Sequence, residues 1–210
     1  MSALDTRRKY KAEVRGLILA TAREIFIHEG YQSFTLRTLA GRIGYAPSAI
    51  YKHFENKREI FDCLVSESFV ALFRAVEKVK AIEGEDPIDR LKRRTWAYVT
   101  FGLENPDHYR FAFLLQPVSA GHPSRPSAAF DGLREDVQNC IDAGKIKPED
   151  KELVAQALWA VAHGITSLLI QKPSFPWVAR RRLIARVIDS IIAGLLAPDK
   201  PAKTIQGEKR

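Results

Sequence analysis

Cysteine is almost missing from this chain. Cys63 and Cys140 are the two present in 210 residues, they lie far apart, and neither sits in a Cys-x-x-Cys pair or near a histidine at metal-ligand spacing. A disulfide framework and a zinc site are therefore not expected. Catalytic signatures are missing too: there is no glycine-rich phosphate loop, no Gly-x-Ser-x-Gly turn and no His-Glu-x-x-His, and the acids fall mostly on polar helix faces. No catalytic residue, metal ligand or cofactor is assigned on this basis. No apolar run reaches the length of a membrane span, and Met1 to Lys11 is charged with no export-like apolar segment behind it, so a cytoplasmic protein without a membrane partner is expected. Glycine and proline, at 12 and 11, are too few for a low-complexity chain, and no strand pattern is found. Acidic residues are outnumbered, 25 against 33 Lys and Arg, leaving a net charge of +8.

What the chain does have is basic charge concentrated at one end. Residues 1–60 hold eleven Lys or Arg against six Asp or Glu, so +5 of the +8 lies there, and a polyanion would meet that end first. Residues 1–10, with Arg7, Arg8 and Lys9, show no apolar period and read as a mobile basic arm suited to phosphates or a minor groove. From Lys11 to His28 the residues Val14, Leu17, Ile18, Ala22, Ile25 and Phe26 recur at helical spacing, and Gly30 ends that helix. The stretch Thr35 to Phe54 then carries the spacing of two helices packed across a tight turn. Ala40 is the small residue where they meet, Gly44 supplies the left-handed turn, and Ile50 packs back on the first helix. Thr35 is the expected N-cap of the first, and Pro47 suits the opening turn of the second. The second helix leaves Tyr45, Ser48, Tyr51, Lys52 and His53 outward, side chains suited to DNA rather than a core. Thr35, Arg37, Lys52, His53 and Lys57 are assigned to phosphates, and Tyr45, Ser48 and Tyr51 to bases or the phosphates beside them. Ala49 has the size to meet a thymine methyl.

With Arg15, Ile18, Leu19, Ala22, Phe26, Gly30, Tyr31, Thr35, Leu39, Ala40, Gly44, Ile50, Tyr51, His53, Phe54, Lys57 and Phe61 in register, the first third of the chain resembles the DNA-binding domain of the tetracycline-repressor (TetR) family of one-component bacterial regulators. Ala46 and Ala49 depart from that family's usual hydroxyl residues in the recognition helix. Farther on, Leu-Trp-Ala-Val-Ala-His-Gly, with Trp159 and His163 one turn apart, resembles the Trp-His-Gly signature of one carboxy-terminal domain class of the family. The resemblance implies an all-α fold of about nine helices: a three-helix helix-turn-helix domain joined by a long helix to a helical ligand-binding and dimerisation domain. The boundaries expected are an arm over 1–10, the DNA-binding domain over 11–56, the effector and dimerisation domain over 57–197 and a disordered tail over 198–210.

Asn56 with Glu59 makes a capping box for a long helix expected to reach Lys80, carrying Ile60, Phe61, Leu64, Phe69 and Phe73. Helices are then expected from Pro87 to Leu103, Pro106 to Gln116, Ser127 to Ala143, Pro148 to Gln171 and Pro176 to Leu196, with an irregular Pro-rich loop over 117–126. A mostly apolar effector cavity is expected from some of Phe69, Phe73, Trp96, Thr100, Tyr109, Phe113, Trp159 and His163, although the same rings could pack a solid core and His163 could be a satisfied core residue. Ala157, Val161, Gly164, Ile165 and Leu168, with Leu183, Val187, Ile188, Ile191 and Leu195, form two apolar stripes that could complete a monomer or pair two copies. The reader favours pairing, because one recognition helix touches few base pairs whereas a two-fold dimer spans half-sites about 34 Å apart. The function expected is a homodimeric repressor binding a palindromic double-stranded DNA operator and released by an apolar or aromatic effector. The rival is a small helical enzyme or carrier of an apolar ligand using His163 and Tyr109.

Overall fold

The computed structural model describes residues 3–115 and 128–196; the loop expected over 117–126 and the tail expected over 198–210 lie outside them. Nine α-helices and no strand occur among the described residues, with one isolated antiparallel bridge between Ile146 and Leu196. The chain divides into two compact units, residues 1–78 with 100–129 and residues 79–99 with 130–210. This division by packing differs from the division by motif at residue 56, because the whole of the long helix after the reader packs inside the first unit.

In the first unit, α1 (Ala3–Ser33) bends at Gly30, whose φ of 80° is left-handed. The arm expected over residues 1–10 is thus corrected: from Ala3 onward it is helix. Its residues lack an apolar period because nothing there is buried, yet Ala, Leu, Arg and Lys are good helix formers and Asp5 stands in the first turn, where the helix dipole favours an acid. Thr35 caps α2 (Leu36–Ile43), its hydroxyl accepting from the Thr38 amide at 3.0 Å. Gly44 ends α2 at φ 71°, and the next amide, Tyr45 N–H, donates to the Ala40 carbonyl at 3.0 Å. Pro47 opens the short α3 (Pro47–Tyr51). Asn56 caps α4 (Lys57–Glu77) by accepting from the Glu59 amide, while Glu59 reaches back to the Glu55 amide at 2.7 Å. The helix stops three residues short of the expected Lys80.

α6 (Pro106–Tyr109) does not continue to Gln116 as an α-helix. It gives way to a π-helical turn, Arg110–Leu114, closed by the Leu115 amide on the Arg110 carbonyl at 2.8 Å. This wider turn carries Phe111 into the reader's core, where it meets Phe26 and Phe61 at 6.1 and 5.6 Å between centroids. Ile18, Ala22, Ile25, Leu39, Ala40 and Ile50 complete that core with no exposed surface.

α5 (Pro87–Glu104) supplies residues to both units. The second unit adds α7 (Ala128–Asp142) from Phe130 onward, α8 (Lys151–Gln171) and α9 (Arg180–Leu195). α8 begins three residues later than expected, because the Asp150 carboxylate caps it on the Glu152 amide at 2.9 Å. α9 starts at Arg180 rather than Pro176, since Phe175 and Trp177 are held in a turn by Trp177 Nε1 donating to the Lys172 carbonyl at 2.9 Å. Contrary to the sequence reading, α8, at 21 residues, has the length and composition of a membrane span. Its apolarity serves packing, with Val154, Ala155, Leu158, Ala162, Thr166 and Leu169 buried in the unit. The unit also encloses Asp136, 1% exposed, between the guanidinium groups of Arg90 and Arg94. Burial raises the Asp136 pKa against the downward pull of the two arginines. Cys140 is buried beside it and its thiol is pushed up to about 12, first by burial, which makes it unreactive.

Candidate nucleic-acid interface

The reader is a thin shell of polar side chains on a closed apolar core. α3 shows why: Ile50 has no exposed surface, whereas its neighbour Tyr51 is 59% exposed and Ser48 and Lys52 are also outside. Ala49 is half-buried. The amides of His53 and Phe54 both donate to the Ile50 carbonyl, at 2.9 and 3.0 Å, so the end of α3 is tied down one residue after Lys52. Behind it, the Arg15 guanidinium lies 4.8 Å over the Phe54 ring and donates to Cys63 Sγ at 3.2 Å. These contacts hold the outward face rigid, as groove entry requires.

The remaining residues assigned to DNA are placed unequally. Arg37 is exposed on α2. Thr35 is exposed but its hydroxyl is engaged by the Thr38 amide and hydroxyl, the latter at 2.7 Å. Lys57 donates to the Tyr31 carbonyl at 3.3 Å and lies 4.5 Å over the Tyr31 ring, so it braces the bend of α1. Tyr45 is half-buried, and the influence of Tyr10 raises its hydroxyl pKa above the ordinary value. His53 is half-buried, with Nδ1 enclosed and unsatisfied. Its pKa is lowered by burial first and then by Lys11, Arg15 and Lys52, so the ring is neutral at the end of a basic surface.

A polar junction ties α1 to α4 and α6 within the same unit. Arg23 pairs with Glu67 at 3.2 Å and meets His108 Nδ1 at 3.3 Å, and Ser68 Oγ lies 3.1 Å from the same nitrogen. Burial and Arg23 lower the His108 pKa, which leaves Nδ1 as an acceptor for the guanidinium. Arg23, Ser68 and His108 were not found from sequence, since partners 40 to 85 positions apart leave no local pattern.

The eight residues expected around an effector divide between the units. In the first, Tyr109 is fully buried against Phe113 at 4.9 Å, Phe113 meets Phe69 edge-on at 5.5 Å, and Phe73 and Thr100 are exposed. In the second, Trp96 is half-buried, and Trp159 donates through Nε1 to the Tyr98 hydroxyl at 3.3 Å. That hydroxyl lies 3.3 Å from His163 Nδ1, whose pKa burial lowers. Phe130 closes on Trp159 at 5.7 Å. Tyr98 was missed from sequence. A cleft of about 220 Å³ elsewhere in the second unit, lined by Ala81, Ile82, Glu85, Pro87, Arg90, Asp136 and Asn139, includes none of the eight. Of the stripes expected for pairing, Ile165 and Ile188 are taken up by the unit's own core. Leu168 is 49% exposed, and Ala157, Val161, Gly164, Leu183, Val187, Ile191 and Leu195 are half-buried.

Residues 18–64 match the family model described as bacterial regulatory proteins, tetR family, and residues 92–191 match one described as a tetracyclin repressor-like C-terminal domain. The chain is 37% identical over 197 residues to the HTH-type transcriptional repressor BepR of Brucella suis, covering 89% of this chain and 94% of BepR. The chain belongs to the TetR family. Its TetR-type architecture is repeated in a solved tetR-family regulatory protein from Rhodococcus RHA1, at TM-score 0.70 and 21% identity over 88% of this chain and 98% of that one. The structure of a SmeT–triclosan complex is similar at TM-score 0.69 and 20% identity, covering 93% and 98% of the two chains. As a TetR-family member with this reader, the protein is a DNA-binding transcriptional regulator, and the helix-turn-helix of α2 and α3 is its DNA-binding module.

Proposed function

We propose that this TetR-family regulator is a homodimeric repressor that binds a palindromic operator through Tyr51, Lys52 and Ser48 and leaves it when an apolar or aromatic molecule binds. The observation that carries the reading is the contrast across one peptide bond: Ile50 enclosed in the core, Tyr51 standing out from it. A helix anchored in this way offers its polar face to a groove with little left to order on binding. Thr35, Arg37, Ala49, Tyr45 and His53 frame that face, and Lys57 supports it through Tyr31. Repression follows the sense of BepR, whose name describes it as a repressor.

Pairing is assigned to the half-buried faces of α8 and α9, where Ala157, Val161 and Gly164 allow a close approach. Exposed Trp159 with half-buried Tyr98 and His163, at the site of the resemblance to the Trp-His-Gly class, has the mixed apolar and polar character of an effector wall. Bound triclosan in the similar SmeT complex supports an aromatic effector. An enzymatic role is not favoured: Tyr109, the residue offered for it, is fully enclosed. The protein acts in the cytoplasm, where its DNA is.

A gel-shift titration against the DNA upstream of the protein's own gene tests the whole reading. Salt-sensitive, sequence-selective binding that an aromatic compound such as triclosan reverses is the expected result. Binding indifferent to both sequence and salt would end the regulator account, and binding that no apolar compound alters would end the effector part.

A further inference from the structure

We propose that Arg134 is a positioning residue for the effector site: clamped to Glu152 on the facing helix, it holds the Phe130 ring against Trp159 and so presets one wall of the site before an aromatic molecule arrives. The inference rests on the effector reading and deepens it. Its parts come from two helices of the second unit. On α7, Phe130 and Arg134 stand one turn apart. On α8, Glu152, Gln156, Trp159 and His163 follow at helical spacing and share one face. Where the two faces meet, Arg134 is held from both sides. Its Nε and Nη2 donate to the two carboxylate oxygens of Glu152 at 2.6 and 3.0 Å, and its Nη1 donates to Asp131 at 2.7 Å. Gln156 steadies the same carboxylate by donating to it at 2.8 Å.

A guanidinium bonded along both edges is fixed in its plane, which a lysine ammonium could not be. That plane lies 4.5 Å over the Phe130 ring, and Phe130 in turn meets the Trp159 ring at 5.7 Å and an angle of 63°. Phe130 is thus pinned between a fixed cation and an indole that is 39% exposed and donates to the Tyr98 hydroxyl. Partly exposed ion pairs add little to stability, so the consequence of this clamp is the ring that it orders. An aromatic effector stacking on Trp159 then meets a wall already in place and has one side chain fewer to immobilise.

Two measurements on the full chain test the clamp. Acrylamide quenching reads the cover on Trp159 in a protein carrying Trp96→Phe and Trp177→Phe, and calorimetry gives the affinity for triclosan in the otherwise unsubstituted protein. Arg134→Lys keeps the charge without the fork, and Glu152→Gln keeps the shape without the charge. Each should raise quenching part of the way to the level of Phe130→Leu. Each should also weaken triclosan by about 2- to 12-fold, the range that ordering one side chain costs, and add nothing in a Phe130→Leu background. A lowered melting temperature with quenching and affinity unmoved makes Arg134 a structural ion pair and overturns the proposal. Losses that add in full to that of Phe130→Leu overturn the route through Phe130. Quenching that follows the expected pattern while triclosan fails to bind, or binds alike with and without Phe130, overturns the effector reading of this wall and leaves the contact of Arg134, Phe130 and Trp159 intact.

Discussion

Ile50 and Tyr51 are neighbours in sequence and opposites in environment, so substitutions at the two positions should separate folding from recognition. Ile50→Ala leaves a void against α1 and α2 and should lower stability by about 2 to 5 kcal/mol in a urea titration. Tyr51→Ala should leave that titration unchanged and weaken operator binding, by about 1 to 3 kcal/mol if the ring reads a base. Lys52→Ala should cost affinity on all sequences alike and lower the salt slope by about 1. His108 gives a different handle. Burial and Arg23 hold its folded pKa below the ordinary 6.5, so between the two values the unfolded chain binds the extra proton. Its contribution is present above pH 6.5 and is lost as the pH falls toward the folded value. The melting temperature should decline on acidification through this range, and His108→Gln should make the decline shallower; an unchanged slope would show that the Arg23 junction is not titrating.

Between helices the decisive residue is Gly44. Its φ of 71° places it in the left-handed region, and a Cβ there would meet open space, so the penalty for Gly44→Ala is conformational alone. It should be about 1 to 2 kcal/mol, measured by thermal melting, with Gly44→Asn milder because Asn tolerates that region. Such positions are also what made this fold readable in advance. Thr35, Gly44, Pro47 and Asn56 each act within four residues of themselves, through a cap, a turn or a fixed φ, and each does in the structure what local chemistry implies. The failures fall where the cause is distant or where burial was taken as a proxy for helix. The amino-terminal turns of α1 lack a hydrophobic period because no core lies beneath them, not because they are unfolded. The π turn after Tyr109 is set by Phe111 seeking the rings of Phe26 and Phe61, contacts that no window of sequence around residue 110 contains. The same holds for Tyr98, found only through its hydroxyl between Trp159 and His163.

At the scale of the whole molecule the question is what covers the outer face of α8. One side of this helix is core, carrying Val154, Leu158, Ile165 and Leu169, and the other exposes Leu153 at 61% and Leu168 at 49% with Gly164 between the two. An aqueous monomer gains nothing from a stripe of this kind, whereas a second copy related by a two-fold axis would bury it twice. A charge at Leu168 should therefore act on assembly before it acts on folding, since the position is already half in solvent. Leu168→Glu should give a monomer by light scattering, with helical content and melting behaviour close to those of a dimer diluted below its dissociation constant. DNA binding should fall far more than Tyr51→Ala alone would cause, because half-sites about 34 Å apart can no longer be engaged together. A Leu168→Glu protein that stays dimeric would move the interface off this face. One that is monomeric yet binds the upstream duplex unimpaired would show that a single reader is enough.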